Sequence, residues 1–188
     1  MKRFMKAIAM IHSEYIKGIV CAVLGKVQPE FFTAPSSSSG KYHPADEITE
    51  GGLVLHTLRV VVMADQLAGD PEYWESLKAH DYLGYDILIA SAILHDCCKS
   101  GKDVWGDHTI TEHPLLTGQL VFETCGVNRI TKGIADTIAA HMGYANKDRS
   151  WETPVLPRPV KPCQVILNRA DYLASRANIR IDVSELMF

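Results

Sequence analysis

The chain has 188 residues, of which 47% are hydrophobic and 22% charged. That is the length and composition of one ordinary globular domain able to bury its own core, and it excludes a disordered or low-complexity chain. The net charge of -3 argues against the large basic footprint of a dedicated nucleic-acid binder and leaves a small nucleotide open.

The five cysteines, at 21, 97, 98, 125 and 163, are odd in number and form no CxxC pair, which points to free thiols in a reducing compartment. Residues 2–27 predict one helix, with Phe4, Ala7, Ile8, Ile11, Tyr15, Ile19 and Leu24 on an apolar face. Met1-Lys2-Arg3 begins like a signal peptide, but His12, Ser13, Glu14 and Lys17 interrupt the apolar stretch that a signal peptide needs. No run of 18 apolar residues occurs, so a cytoplasmic protein without a membrane partner is expected. Residues 28–51 read as a loop through Pro29, Pro35, Ser36–Ser39, Gly40 and Pro44, too long for an idle connection. Helices are then expected at Leu53–Leu67, opened by Gly51-Gly52, and after Asp70-Pro71, a cap with proline at the first helical position. The strongly apolar stretch Tyr85–Cys98 predicts a buried helix, followed by helices from Pro114 to about Thr124, Asn128–His141 and Pro162–Ala177. Residues 142–161 form a second loop carrying Pro154, Pro157 and Pro159. No segment alternates at period two, so the fold class is all-α, one helical bundle over 1–188.

Costly side chains interrupt the apolar runs. His56 lies within Leu53-Val54-Leu55-His56-Thr57-Leu58, His95-Asp96 ends Ser91-Ala92-Ile93-Leu94, and His141 ends Ile138-Ala139-Ala140. Asp171 sits in Leu167-Asn168-Arg169-Ala170-Asp171-Tyr172-Leu173. A buried imidazole or carboxylate is expensive unless paired or bound to a metal. One such histidine is ordinarily a hydrogen-bonded core residue; several on separate helices are satisfied together by a shared cation. Imidazole nitrogen and carboxylate oxygen suit Mn, Fe, Co, Ni or Zn, with Mg as a further option, and the lack of a thiolate cluster argues against structural zinc.

The order Gly51-Gly52-Leu53-Val54-Leu55-His56-Thr57, then Ile93-Leu94-His95-Asp96-Cys97-Cys98-Lys99, then Asp171-Tyr172-Leu173 resembles the HD-domain metal-dependent phosphohydrolases over roughly residues 50–178. The resemblance implies an HD core over 50–178 and one or two divalent ions, with residues 1–27, on their apolar periodicity, as an N-terminal packing helix. In two-metal members of that family further histidines fall where His113 and His141 stand. It implies Asp96 as a bridge, His56, His95 and Asp171 on one ion, and His113 and His141 on the other. Two departures are visible: Met142 follows His141 where paired histidines are common, and Cys97-Cys98 replace an apolar residue and glycine before Lys99. The loop Pro35–Pro44 is similar to loops preceding the first ligand in some bacterial and phage HD proteins and in relaxase-associated HD domains. Its Lys41 and His43 are candidates for a phosphate.

The expected chemistry is hydrolysis of a phosphate ester of a nucleotide, ranked above a nucleic-acid end, by metal-activated water. Asp96, Lys99 and His43 are the candidate catalytic residues: Lys99 for a phosphoryl oxygen, and His43, or His113 if it is no ligand, for the leaving group. Lys41, Tyr144 and Arg169 are the candidate substrate-binding residues, with Asn146, Trp151 and Arg176 nearby. The alternatives are a di-iron oxygenase of the same fold, which uses the same ligand types, and a non-catalytic nucleotide-binding module.

Overall fold

The computed structural model describes residues 2–37, 40, 42–143 and 156–187. Among them are seven α-helices and no strand: α1 (Met5–Ala9), α2 (Glu14–Leu24), α3 (Gly52–Ala68), α4 (Pro71–Leu94), α5 (His113–Cys125), α6 (Arg129–Ala139) and α7 (Pro162–Ala174). No helix among them is long and apolar enough to cross a membrane.

The bundle is built around the second half of α4. From Leu88 to Leu94 every residue of this half is buried. A helix apolar on all sides must be surrounded, and α4 packs against α1, α2, α3, α6 and α7. The α3–α7 and α5–α6 pairs complete the layers around it. Three of these helices, α3, α4 and α7, therefore deliver side chains to one region, while the ends of α5 and α6 reach the same region from the far side.

The first helix expected from the sequence, 2–27, is instead two. A short 3-10 turn, Lys2–Phe4, leads into α1, and the chain breaks before α2. Ser13 caps α2 by accepting a hydrogen bond from Ile16 N–H, and the buried Asp86 carboxylate of α4 accepts the backbone N–H groups of His12 and Ser13 at 2.8 Å each. The break resets the helical phase. Ile16, Ile19, Val20, Val23 and Leu24 form the buried face of α2, and Tyr15, expected on the apolar face, is 57% exposed. Replacing Asp86 by Ala leaves two backbone donors and the His12 ring without their acceptor. It is expected to lower stability by about 2–4 kcal/mol, read from urea unfolding midpoints. A loss below about 0.5 kcal/mol would show that the Ser13 cap holds the break by itself.

Helix α4 is interrupted at Ala79–Tyr82, where His80, Asp81 and Tyr82 all take left-handed backbone angles. Such residues cost roughly 1–2 kcal/mol each, and ring contacts offset this: Tyr82 stacks on His12 with centroids 4.3 Å apart and Trp74 meets its edge. The apolar helix ends at Leu94 rather than Cys98. Residues 95–101 tighten into i→i−3 turns, with Cys97, Lys99 and Gly101 N–H donating to the carbonyls of Leu94, Asp96 and Cys98. The five cysteines are free thiols, with Cys97 and Cys98 buried; burial pushes the Cys97 thiol well above its ordinary value.

Candidate metal centre

His56 stands one turn inside α3, and its placement starts with the two glycines before it. Gly51 has φ +76°, left-handed backbone that glycine adopts without strain. A β-carbon on Gly52 would overlap the carbonyl oxygen of Glu47. The glycine pair thus lets Thr33, Ala34 and Glu47 lie directly on the start of α3, held by Gly51 N–H to Thr33 O at 2.7 Å and Leu53 N–H to Ala34 O at 3.0 Å. His95 and Asp96 follow the end of α4, His113 is the first residue of α5, His141 lies two residues past α6, and Asp171 is in the third turn of α7.

Each of the last three histidines is oriented by the backbone of the turn before it. His95 Nδ1 lies 2.9 Å from Ala92 O, His113 Nδ1 2.7 Å from Ile110 O and His141 Nδ1 2.8 Å from Ile138 O. A carbonyl oxygen only accepts, so Nδ1 carries the proton in all three and each Nε2 presents a lone pair. Those lone pairs converge. His113 Nε2 lies 3.3 Å from His141 Nε2 and 2.9 Å from Asp96 Oδ1, and His141 Nε2 lies 3.9 Å from the same oxygen. Asp96 Oδ2 faces the other group, with His95 Nε2 at 3.4 Å and His56 Nε2 at 3.9 Å. Asp171 Oδ1 completes it, 3.1 Å from His56 Nε2 and 3.9 Å from His95 Nε2. The two oxygens of Asp96 therefore separate two sets of donors.

His95 Nε2 is fully buried and has no hydrogen-bond partner. An orphaned imidazole nitrogen facing two carboxylates and other acceptor nitrogens fits a divalent cation, which would satisfy all of them at once. The sets His56/His95/Asp171 and His95/Asp96/His141 each bring one donor atom per residue within 4.8 Å of one another. All these residues are buried except Asp171, expected to be buried from its helix and in fact 24% exposed at the side chain, where it opens on a cavity.

The electrostatics follow from burial and pairing. Burial opposes charge on His56, but the hydrogen bond to Asp171 and the Glu47 carboxylate close to its other nitrogen outweigh it and raise its pKa to about 9. Burial and the neighbouring His95 lower His141 to about 3, so it is a neutral donor at any ordinary pH. Burial disfavours the Asp96 carboxylate, yet Lys99, His95 and His113 hold it ionised well below the usual carboxylate range. Lys99 Nζ sits 2.6 Å from Asp96 Oδ2.

A cavity of about 220 Å³ opens over the centre, lined by Ser36, His43, Lys99, Thr109, Met142 and Ser175 together with the ligand-type side chains. Lys99 and His43, expected at the site, are both there. A wider cavity of about 690 Å³ continues past His141 and Asp171 along α7, bordered by Arg169, Tyr172 and Arg176. Arg169 is exposed on its rim, donating to Tyr73 Oη at 3.1 Å. Lys41, Tyr144, Asn146 and Trp151 lie outside the described residues. Three participants were not among the candidate residues read from the sequence. Glu47 is fully buried beside His56, Asn168 donates to His141 O at 2.6 Å, and Ser36 packs with its hydroxyl 3.1 Å from His43 Nδ1. Ser36 and Glu47 lie in the 28–51 loop and Asn168 in the stretch around Asp171, but nothing in either stretch marks these residues themselves.

Against known proteins, the HD domain family model matches residues 53–176. No curated protein and no solved structure matches the chain. The family match runs from just before His56 to just past Asp171 and takes in the convergent residues of all five elements, leaving the loop that carries His43 and Glu47 upstream of it. With two thirds of its length matched, this all-helical chain belongs to the HD-domain family, whose members are generally metal-dependent hydrolases.

Proposed function

We propose that the protein hydrolyses a phosphate ester of a nucleotide, with divalent cations held by His56, His95, Asp96, His113, His141 and Asp171. The observation that carries this reading is the convergence of buried acceptor atoms around the two oxygens of Asp96, the unpartnered His95 Nε2 among them. Divalent ions in such a set acidify a bound water and offset charge on a phosphoryl group.

The chain's own side chains supply the rest. Lys99 keeps a cation against Asp96 on the cavity wall, and its remaining N–H groups are donors for phosphoryl oxygens. His43 turns Nδ1 toward Glu47 Oε2 at 2.8 Å, which leaves Nε2 as the ring atom that can hold a proton for the leaving-group oxygen. Glu47 holds that ring in place through Nδ1, as a carboxylate orients a catalytic histidine. Arg169, Arg176 and Tyr172 border the wider cavity, where guanidinium groups and an aromatic face suit the charge and base of a nucleotide. The net charge of -3 favours a small phosphorylated ligand over a nucleic-acid surface.

The test is a screen of the purified protein against nucleoside mono-, di- and cyclic phosphates and phosphodiesters, with Mn, Co, Ni or Mg added. Phosphate or nucleoside release that depends on the ion and is abolished by chelation is the expected result. No turnover with any nucleotide, against turnover of an unrelated phosphoester, would refute the substrate class.

A further inference from the structure

We infer that Glu47 is the positioning residue of the centre: its carboxylate fixes and polarises His56 from behind and, through the same oxygen, orients His43. The inference rests on the metal-binding reading above. It concerns a residue that lies before the segment matched by the family.

Glu47 is buried to zero exposure in a loop, where an ionised carboxylate is costly unless fully engaged. Its partners account for both oxygens. Oε1 accepts from Arg59 at 2.7 Å. Oε2 meets His43 Nδ1 at 2.8 Å, Ser36 Oγ at 3.3 Å and His56 Nδ1 at 3.3 Å. The His56 contact is close but not aligned as a finished hydrogen bond, so His56 Nδ1 counts among the buried atoms without one. The two imidazole rings meet edge to face, with centroids 5.2 Å apart.

His56 differs here from the other histidines of the centre. His95, His113 and His141 each give Nδ1–H to a neutral backbone carbonyl. His56 alone among them turns Nδ1 toward a carboxylate. A carboxylate behind a metal-bound imidazole raises its basicity and locks its ring, and losing such a partner typically weakens metal binding by about 10–100-fold.

The trio His43, Glu47 and His56 also lies close enough to suggest a cation of its own. The surroundings argue otherwise. Arg59 already occupies one Glu47 oxygen and, through both terminal nitrogens, Asp46 as well. A further cation would sit beside that guanidinium. Glu47 therefore serves the imidazoles and not an ion directly.

The experiment titrates the chelated 188-residue chain with Co(II), following the visible absorption of the bound ion and the equivalents bound at saturation. Glu47→Gln keeps the shape of the side chain and removes its charge. The expected result is binding weakened about 10–100-fold with unchanged equivalents at saturation and a shifted Co(II) spectrum. Asp46→Asn, which loosens the outer half of the same ion-pair network, is expected to bind Co(II) as the parent does. Should Glu47→Gln fail to fold by circular dichroism, Glu47→Asp withdraws the charge by one methylene and is expected to weaken binding about tenfold. Equal Co(II) affinity in a folded Glu47 variant overturns the inference, as does loss of one equivalent at saturation, which would make Glu47 a ligand. Equal weakening by Asp46→Asn also overturns it, because the effect would then be loop loosening. Failure of the parent protein to bind Co(II) is a different result: it removes the metal centre, and this inference with it.

Discussion

Asp96→Asn is expected to lower metal-dependent turnover by at least about a thousandfold. The charge stabilisation that a bound cation offers a phosphoryl group is several kcal/mol, and each 1.4 kcal/mol is about tenfold in rate. Asp96 is the substitution with the greatest reach because its two oxygens face different donors, His113 and His141 on one side and His95 and His56 on the other. The amide keeps the shape and loses the charge, so both sides weaken together. The same change leaves the Lys99 ammonium, 14% exposed, without its 2.6 Å counterion. Breaking a buried pair from one side costs about 3–5 kcal/mol, and at roughly 2–4 °C per kcal/mol for a chain of this size the melting temperature should fall by about 10 °C. Activity and bound metal are therefore to be measured well below that midpoint. A folded Asp96→Asn protein that retains two equivalents of metal and full turnover would show that the chemistry lies elsewhere. His95→Ala, which removes the unpartnered nitrogen, is expected to lose turnover in the same experiment.

Metal affinity is expected to rise about tenfold per pH unit between pH 7 and about 9. The cation needs a neutral imidazole at His56, whereas Asp171 and Glu47, acting against burial, hold the metal-free ring protonated up to about pH 9. Below that value each binding event at this ring must release its proton. His141, lowered to about 3, stays neutral throughout and adds no slope in this window. The metal-free protein responds in the opposite sense. A histidine whose folded pKa lies above its ordinary value of 6.5 stabilises the fold fully below about 6.5 and loses that contribution as the pH climbs through about 9. The gap in melting temperature between Mn-loaded and chelated protein should thus widen from pH 6.5 to pH 9. Titration calorimetry in two buffers of different ionisation enthalpy should register a proton released on binding. An affinity that does not change with pH, with no proton released, would show that His56 takes no part in holding the ion.

The candidate site was legible because its side chains contradict their surroundings. A histidine inside Leu53–Leu58, a His-Asp pair ending a run of buried residues and a histidine just past α6 each carry a cost that only partners can offset. The helical period of α3, α5, α6 and α7 was likewise written in their apolar spacing and caps: Asn128 caps α6 through Ile130 and Thr131 N–H, and Pro162 opens α7. The break between α1 and α2 was not. Ser13 is an ordinary cap, but the stronger hold comes from Asp86, more than seventy residues away. Apolar periodicity ran through the break because both fragments bury a face against the same core.

Glu47 marks the limit of such reading. Its local sequence, Ala45-Asp46-Glu47-Ile48, has no period and no motif, and an acidic pair in a loop normally belongs to solvent. Its burial depends on Gly52 leaving room for its backbone, on Arg59 arriving from α3 to neutralise it, and on two imidazoles turned toward it. Sequence by itself determined the all-helical class and marked the costly side chains that need partners, since helix period and the cost of burying charge act along the chain, while the HD-type ligand set came from the resemblance in motif order. Only the tertiary structure decided how Asp96 divides the donors, which nitrogen each ring presents and which loop carboxylate stands behind His56. Those are settled by contacts between segments far apart in the chain, and no local pattern encodes them.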